Sequence, residues 1–254
     1  MKERKSLPFS TSLSIFFRSF LIQAVWNYQS LLSVGFAFCL KPVARRLYKD
    51  RAEQIGFLRR HLGFFNAHPY FASYALGAIS RVEEDRQTSP EMIDRFRNAL
   101  IGSLGAIGDQ LFWGTIKPGC ILFAMIGVLL IDRVHLLVVY FFAMLVCYNI
   151  PHLLIRARGI LVGYREGFDV YKLLNIVQFQ NFRILYRGLG AISLGFVIGF
   201  NVLEYGRINP TLSAVFGLSI CGSYFFHKWK HSFYRNALII LTGSVLMGII
   251  LENL

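Results

Sequence analysis

Two apolar runs, Gly119 to Ile131 and Leu136 to Ile150, stand back to back with only Asp132-Arg133-Val134-His135 between them. About 20 apolar residues suffice to cross a bilayer as a helix, so the runs read as two spans joined by a tight polar turn rather than one very long helix. Three more follow, Gly188 to Leu203, Thr211 to Phe226 and Asn236 to Leu251. Each is shorter than the usual ~20 residues, so boundaries extend into neighbouring residues or the bilayer is locally thin. With 55% hydrophobic and only 16% charged residues, the chain is too apolar for an ordinary soluble domain.

The net charge of +13 raises nucleic acid as a partner, but the basic residues fall between apolar runs instead of along one polar face. That placement suits cytoplasmic loops and anionic lipid headgroups, and no nucleic-acid partner is expected. Arg156, Arg158, Arg165, Lys172, Arg183 and Arg187 fill one connection, and Lys228, Lys230 and Arg235 another. The turns at Asp132 to His135 and Glu204 to Pro210 carry one arginine each, so the basic loops are expected in the cytoplasm and Leu254 outside.

Residues 1–116 read differently. Ile15, Phe16, Phe20 and Ala24 recur at helical spacing, as do Ile55, Leu58, Leu62 and Phe65, but polar residues interrupt every run. Such segments suit helices buried against protein, half-membrane hairpins or interfacial helices. Ser12 to Leu40 contains Arg18, Gln23, Asn27 and Gln29 and lacks the clean apolar core of a cleavable signal, so the N-terminus is expected to be retained. Ser89-Pro90-Glu91 reads as a helix start. Cys39, Cys120, Cys147 and Cys221 lie in apolar segments at wide spacing and read as small buried hydrophobes, with neither zinc nor disulfide spacing.

Three clusters could carry function. Gln23, Trp26, Asn27 and Gln29 would place an indole beside amide groups on one helix, Gln23 and Asn27 a turn apart, which suits a sugar or, equally, buried interhelical hydrogen bonds. In Phe64-Phe65-Asn66-Ala67-His68-Pro69-Tyr70, Pro69 is expected to stop a helix begun near Arg51, leaving Asn66 and His68 at its end as cavity-lining or capping residues. Gly105 to Thr115, with Asp109 among glycines and large apolar residues, is the third. Asp109 must meet water, a partner charge, backbone donors or a ligand, and an N-cap ahead of Leu111 to Thr115 fits as well as a ligand role.

Glycines recur every three residues at Gly102, Gly105 and Gly108, and every four at Gly159, Gly163 and Gly167. The first set permits close approach or a helix break, and the second reads as helix packing. Neither is a nucleotide loop, and no nucleophile–base pair or metal spacing is present, so the chain is not expected to be an enzyme by itself or to hold a cofactor.

These clusters in this order resemble one family. Phe17-Arg18-Ser19-Phe20 to Trp26-Asn27-Tyr28, Gly35-Phe36-Ala37, Arg60-His61-Leu62 with Phe64 to Tyr70, and Glu83-Glu84-Asp85-Arg86 resemble the membrane subunit IID of the mannose-type sugar phosphotransferase system. Gly108 to Thr115 with Pro118, and Asn149-Ile150-Pro151 followed by Gly159, Gly163, Tyr164 and Gly167, agree. The resemblance implies a permease half in the bacterial cytoplasmic (inner) membrane. It would pair with a IIC membrane subunit in a hetero-oligomer and carry a hexose-like sugar inward, while soluble IIA and IIB subunits relay phosphate.

Gln110 departs from the proline or small residue usual after Gly-Asp, and Asn175 to Phe182 replaces a glycine-rich stretch. A divergent regulatory or scaffold subunit without sugar transport is therefore the alternative reading. The expected fold is an all-α integral membrane protein. It would be a polytopic helical bundle with amphipathic or re-entrant segments in residues 1–116 and about five spans in 117–254, forming one integrated subunit. Trp26, Asn27, Asn66, His68, Asp109 and Trp113, supported by Gln23, are the expected sugar-contact or gating residues.

Overall fold

The computed structural model describes residues 7–85 and 88–208, whose regular structure is helical, with loops and two isolated backbone bridges between the helices. Four short helices come first: α1 (Phe9–Ser19), α2 (Ser33–Leu47), α3 (Arg51–Arg60) and α4 (Ala72–Glu84). Long ones follow. Helix α5 (Pro90–Gly108) passes without interruption through a π-helical stretch, Asp109–Ile116, into α6 (Lys117–Leu130). Helix α7 (Val134–Glu166), two 3-10 turns (Gly167–Leu173 and Ile176–Phe179) and α8 (Gln180–Ile208) complete the described chain.

Three stretches are long and apolar enough to cross a membrane: Pro90–Leu130, Val134–Leu173 and Ile176–Asn201. They cover nearly all of the first three expected spans, while those at Thr211 to Phe226 and Asn236 to Leu251 lie outside the described residues. The chain divides into two units, Met1–Leu194 and Gly195–Leu254. Of the second, only the helical stretch 195–208 is described, and there Asn201 Nδ2 donates back to the Val197 carbonyl at 2.7 Å.

The turn between α6 and α7 is as short as the sequence suggests, and the pair closes as a hairpin. The Tyr140 ring lies over Gly127, where a Cβ would come within 2.3 Å of it, and the Tyr140 hydroxyl donates to the Phe123 carbonyl at 2.5 Å. Pro151 lies inside α7 without breaking it. A proline there leaves the carbonyl four residues earlier, on Cys147, without its helical donor, and the Tyr186 hydroxyl of α8 supplies one at 2.7 Å.

The main helix contact is α4 against α7, and small residues set its closeness. A Cβ on Gly77 would fall 2.2 Å from the Ile160 carbonyl oxygen, and one on Gly163 would fall 2.2 Å from that of Tyr74. Gly159 faces Ser73 in the same way, so the two α7 glycines serve packing as expected. Gly167, at φ +54°, then ends α7 in the left-handed region that favours glycine.

Glu83 and Glu84 tie the last turn of α4 to its neighbours. Glu83 is buried and accepts from Arg60 at 2.9 Å and from His61 Nε2 at 2.8 Å. Glu84 takes Arg46 of α2 at 2.7 Å and the Tyr164 hydroxyl of α7. Burial alone would raise the Glu83 carboxyl, but its bonds to His61 and Arg60 hold it below the usual range.

Several expectations are corrected. Helix α1 ends at Ser19, so Gln23 and Asn27 do not share a helix face. Helix α3 ends at Arg60, well before Pro69, because His61 turns inward between the Phe36 and Phe57 rings to reach Glu83. Arg156, Arg158 and Arg165 belong to α7 and not to a loop, and Arg156 is buried. Helix α5 is unbroken at Gly102 and Gly105. Cys39 and Cys120 are buried, but Cys147 is exposed on α7, and Cys221 lies outside the described residues.

Candidate functional site

The segment after α1 is built by Asn27. Its side-chain oxygen accepts from the backbone N–H groups of Gln29 (3.0 Å) and Ser30 (2.8 Å) and from the Ser30 hydroxyl (3.2 Å). This is the local competition with helix that short polar side chains offer, and it reverses the chain. Leu31 follows with φ +55°, a left-handed conformation that costs a leucine roughly 1 kcal/mol or more and marks a tightly held position. Asn27 therefore spends its oxygen on the turn. Gln23 and Trp26 are exposed, and the Trp26 ring packs edge-on against Tyr28 at 4.7 Å.

This loop meets the second cluster through the backbone. Leu32 N–H donates to the Phe65 carbonyl at 2.9 Å, and Phe65 N–H to the Ser30 carbonyl at 3.4 Å. The step places Asn66 next to the Asn27 turn along the chain pairing, with its side chain exposed. Gly35 completes the fit: a Cβ there would lie 1.9 Å from the Ile22 carbonyl oxygen, so the loop backbone rests directly on α2.

His68 joins the second cluster to the third. It stands at the entry to α4, not at the end of α3, and its carbonyl accepts from Phe71 and Ala72 N–H at 2.9 and 3.0 Å. Its Nδ1 accepts from Tyr70 N–H at 3.3 Å, which assigns the ring proton to Nε2. The ring stacks on Phe112 at 5.1 Å and meets Trp113 edge-on at 6.2 Å. Gly108 makes this possible, since a Cβ there would lie 2.1 Å from His68 Cβ. Burial, with Arg156 and His152 nearby, pushes the His68 imidazole down to about 4, so it is neutral at physiological pH.

Asp109 is not an N-cap. Its backbone is helical (φ −63°, ψ −45°), the helix runs on through it, and its side chain is exposed. The following residues wind as a π-helix in which Thr115 Oγ1 donates to the carbonyl five residues earlier, on Gln110, at 3.0 Å. Trp113 is half exposed with the Lys117 ammonium over its ring at 4.1 Å.

The sequence reading missed the polar groups behind this surface. The Tyr70 ring stacks on His152 at 4.3 Å and meets Phe112 edge-on at 4.6 Å, and its hydroxyl lies 3.3 Å from that of Tyr148. Asn149 donates its amide to the Leu145 carbonyl, so its oxygen faces His152 Nδ1 at 3.1 Å and fixes the proton there. Arg156 donates to the Ser19 carbonyl and hydroxyl. Asn149, His152 and Arg156 recur at intervals of three and four along α7, a spacing that places them on one face and was the available signal.

The structure thus brings Asn27 beside the Asn66 segment, and His68 against Trp113 and the residue preceding Asp109. Among the described residues, neither Gln23 nor Trp26 shares a hydrogen bond or ring contact with the His68 cluster. Nor do the described residues include a group of three or more metal-ligating side chains.

Residues 7–212 match the family model described as the IID component of the mannose/fructose/sorbose family of PTS systems. The chain belongs to that IID family. It is 34% identical over 213 residues to the mannose-specific EIID component of Escherichia coli K12, covering 82% of this chain and 72% of that one. It is 31% identical to the sorbose-specific EIID component of Klebsiella pneumoniae, covering 83% and 75%. A cryo-EM structure of the mannose transporter ManYZ in complex with microcin E492 aligns over 98% of this IID chain and 97% of its own, with TM-score 0.56 and 25% identity. This IID chain is accordingly a membrane permease component of a mannose-family phosphotransferase system, and all three motif blocks lie within the matched residues.

Proposed function

We propose that this IID chain is half of a working sugar permease. It pairs with a IIC subunit in a hetero-oligomer of the bacterial cytoplasmic membrane. Together they carry a hexose-like sugar inward, and soluble IIA and IIB subunits phosphorylate the sugar on arrival so that it cannot return. The chain supplies binding surface and moving parts, and the phosphoryl-transfer groups belong to its partners. Residues 1–116 form the half-membrane part and 117–254 the membrane-crossing part of one subunit, joined by the continuous helix Pro90–Leu130.

The observation that carries the reading is the convergence of three separated blocks: the Asn27 turn on Phe65, and His68 on Gly108, Phe112 and Trp113. Trp26 and Trp113 offer apolar faces for the C–H side of a sugar, while Asn66 and Asp109 offer exposed groups for its hydroxyls. Gln23 supports them from the loop, and Asn27 acts chiefly by shaping it. The π-helical stretch is the element able to shift register as the site opens alternately to each side.

The test is co-purification of the chain with its IIC partner, followed by sugar uptake into vesicles supplied with IIA, IIB and a phosphate donor. Donor-dependent uptake that requires this chain is expected. An assembled complex with an intact phosphate relay but no uptake would favour a regulatory or scaffold subunit.

A further inference from the structure

We propose that Arg156 is a positioning residue of the transport pathway, holding the Trp26–Asn27 loop in register with the His68–Trp113 cluster. The inference rests on the permease reading above. Arg156 is 3% exposed, inside a helix of membrane-crossing length. Burying an arginine there costs several kcal/mol on the order expected for a desolvated ion, and among the described residues it forms no ion pair with a carboxylate. Packing alone would favour an apolar side chain at that position.

What the guanidinium touches explains its presence. Nη1 donates to the Ser19 carbonyl at 2.5 Å and the Ser19 hydroxyl at 2.9 Å, and that hydroxyl in turn donates to the Phe16 carbonyl at 2.6 Å. Ser19 is the last residue of α1, so the cation sits where the helix's unpaired carbonyls and dipole favour it. The guanidinium carbon also lies 5.0 Å from the Phe20 ring centre and 5.0 Å from that of Tyr70. Phe20 begins the segment leading to Trp26 and Asn27, and Tyr70 packs on His68, Phe112 and His152. One planar side chain therefore ties the loop to the cluster, beside the edge-on contact of Phe20 with His152 at 5.7 Å and the backbone bonds at Phe65. Lysine cannot replace it, because a point charge has neither the fork nor the flat face needed to serve a carbonyl, a hydroxyl and two rings at once.

The experiment compares Arg156→Lys, Ser19→Ala and the double variant in the full-length chain, co-purified with IIC and reconstituted. Both single variants are expected to assemble at wild-type yield. Arg156→Lys should raise the KM for sugar about ten-fold, as loss of one charge-assisted hydrogen bond would, with Vmax little changed. The double variant should be no worse than Arg156→Lys, because the two residues share the interaction. Loss of assembled complex and Vmax at unchanged KM would show a merely structural role and overturn the proposal, as would additive effects. If Arg156→Lys alone fails to assemble, Ser19→Ala decides: a raised KM with Vmax little changed supports the proposal, and an unchanged KM overturns it.

A second readout does not depend on transport. Spin labels at Tyr28→Cys and Ala106→Cys, both exposed positions, in an otherwise cysteine-free chain report the placement of the loop relative to α5. Arg156→Lys should shift or broaden that distance distribution, and an unchanged distribution would overturn the proposal. Wild-type complex that takes up no sugar would sink the permease reading instead, leaving the distance measurement to decide on Arg156.

Discussion

Gly108→Ala tests the meeting of the second and third motif blocks with a single carbon atom. The new Cβ would stand 2.1 Å from His68 Cβ and 2.4 Å from its Cγ. Carbon atoms prefer about 3.5–4.0 Å, so helix α5 and the His68 segment would have to part by about 1.5 Å. His68 cannot swing its Cβ aside, because that atom is fixed to a backbone whose carbonyl accepts two hydrogen bonds at the entry to α4, while a third holds its ring. Overpacking of this kind costs typically about 1–3 kcal/mol, and a misplacement near 1 Å in a binding constellation can lower its effectiveness by about 10²-fold.

Gly102→Ala is the control within the same helix. Nothing lies within 4 Å of a Cβ there, so the substitution should stabilise α5 by about 0.5–1 kcal/mol and leave function intact. Thermal unfolding of the purified complex together with donor-dependent uptake gives both quantities. Gly108→Ala should lower the melting temperature and depress uptake strongly, while Gly102→Ala does neither. Equal behaviour of the two variants would refute the packing of His68 on Gly108.

Other outcomes follow from the same geometry. Tyr186→Phe leaves the Cys147 carbonyl opposite Pro151 without its donor and should destabilise the chain by about 1–2 kcal/mol, read by thermal unfolding in detergent. His68 binds its proton more weakly when folded, at about 4 against 6.5 unfolded, so stability should be lost as pH falls from 6.5 towards 4; His68→Gln should flatten that part of the stability profile. Glu83 has a depressed folded pKa, so its contribution is present above the unfolded value of about 4.5 and is lost as pH falls through the folded one; Glu83→Gln should lower stability at pH 7 and weaken the acid dependence. Gly163→Leu should prevent α4 and α7 from docking, seen as loss of folded protein in size-exclusion chromatography of the extracted membrane fraction.

What the sequence conveys well is whatever depends on nearby residues or on the solvent. Lipid requires long apolar helices, so the runs flanking Asp132 to His135 are legible, and Ser89 caps α5 through a bond to Met92 N–H only three residues away. The α7 glycines at Gly159 and Gly163 are legible because their spacing already implies a close helix neighbour. The loop from Phe20 to Leu32 is not, because its hydrophobic spacing imitates a helix while Asn27 redirects the backbone into a turn. Nor is the early end of α3, which depends on Glu83 reaching back to His61 across 22 residues.

Arg156 shows the same limit most clearly. In a basic stretch after an apolar run it reads as a cytoplasmic loop residue, and only the fold brings Ser19, 137 residues away, into its reach. Asp109 reads as a cap or a ligand-facing residue for the complementary reason. A π-helical winding keeps the helix continuous through a Gly-Asp pair, and no local pattern announces it.

The central claim is that the blocks around Trp26, Asn66, His68 and Asp109 form one sugar pathway. Sugar affinity of the purified IIC-containing complex, measured for wild type, Trp26→Ala and Asp109→Asn by equilibrium binding, tests it most directly. Both variants are expected to assemble normally and to bind sugar at least about ten-fold more weakly, the loss of roughly one good contact each. Unchanged affinity in both would contradict the claim.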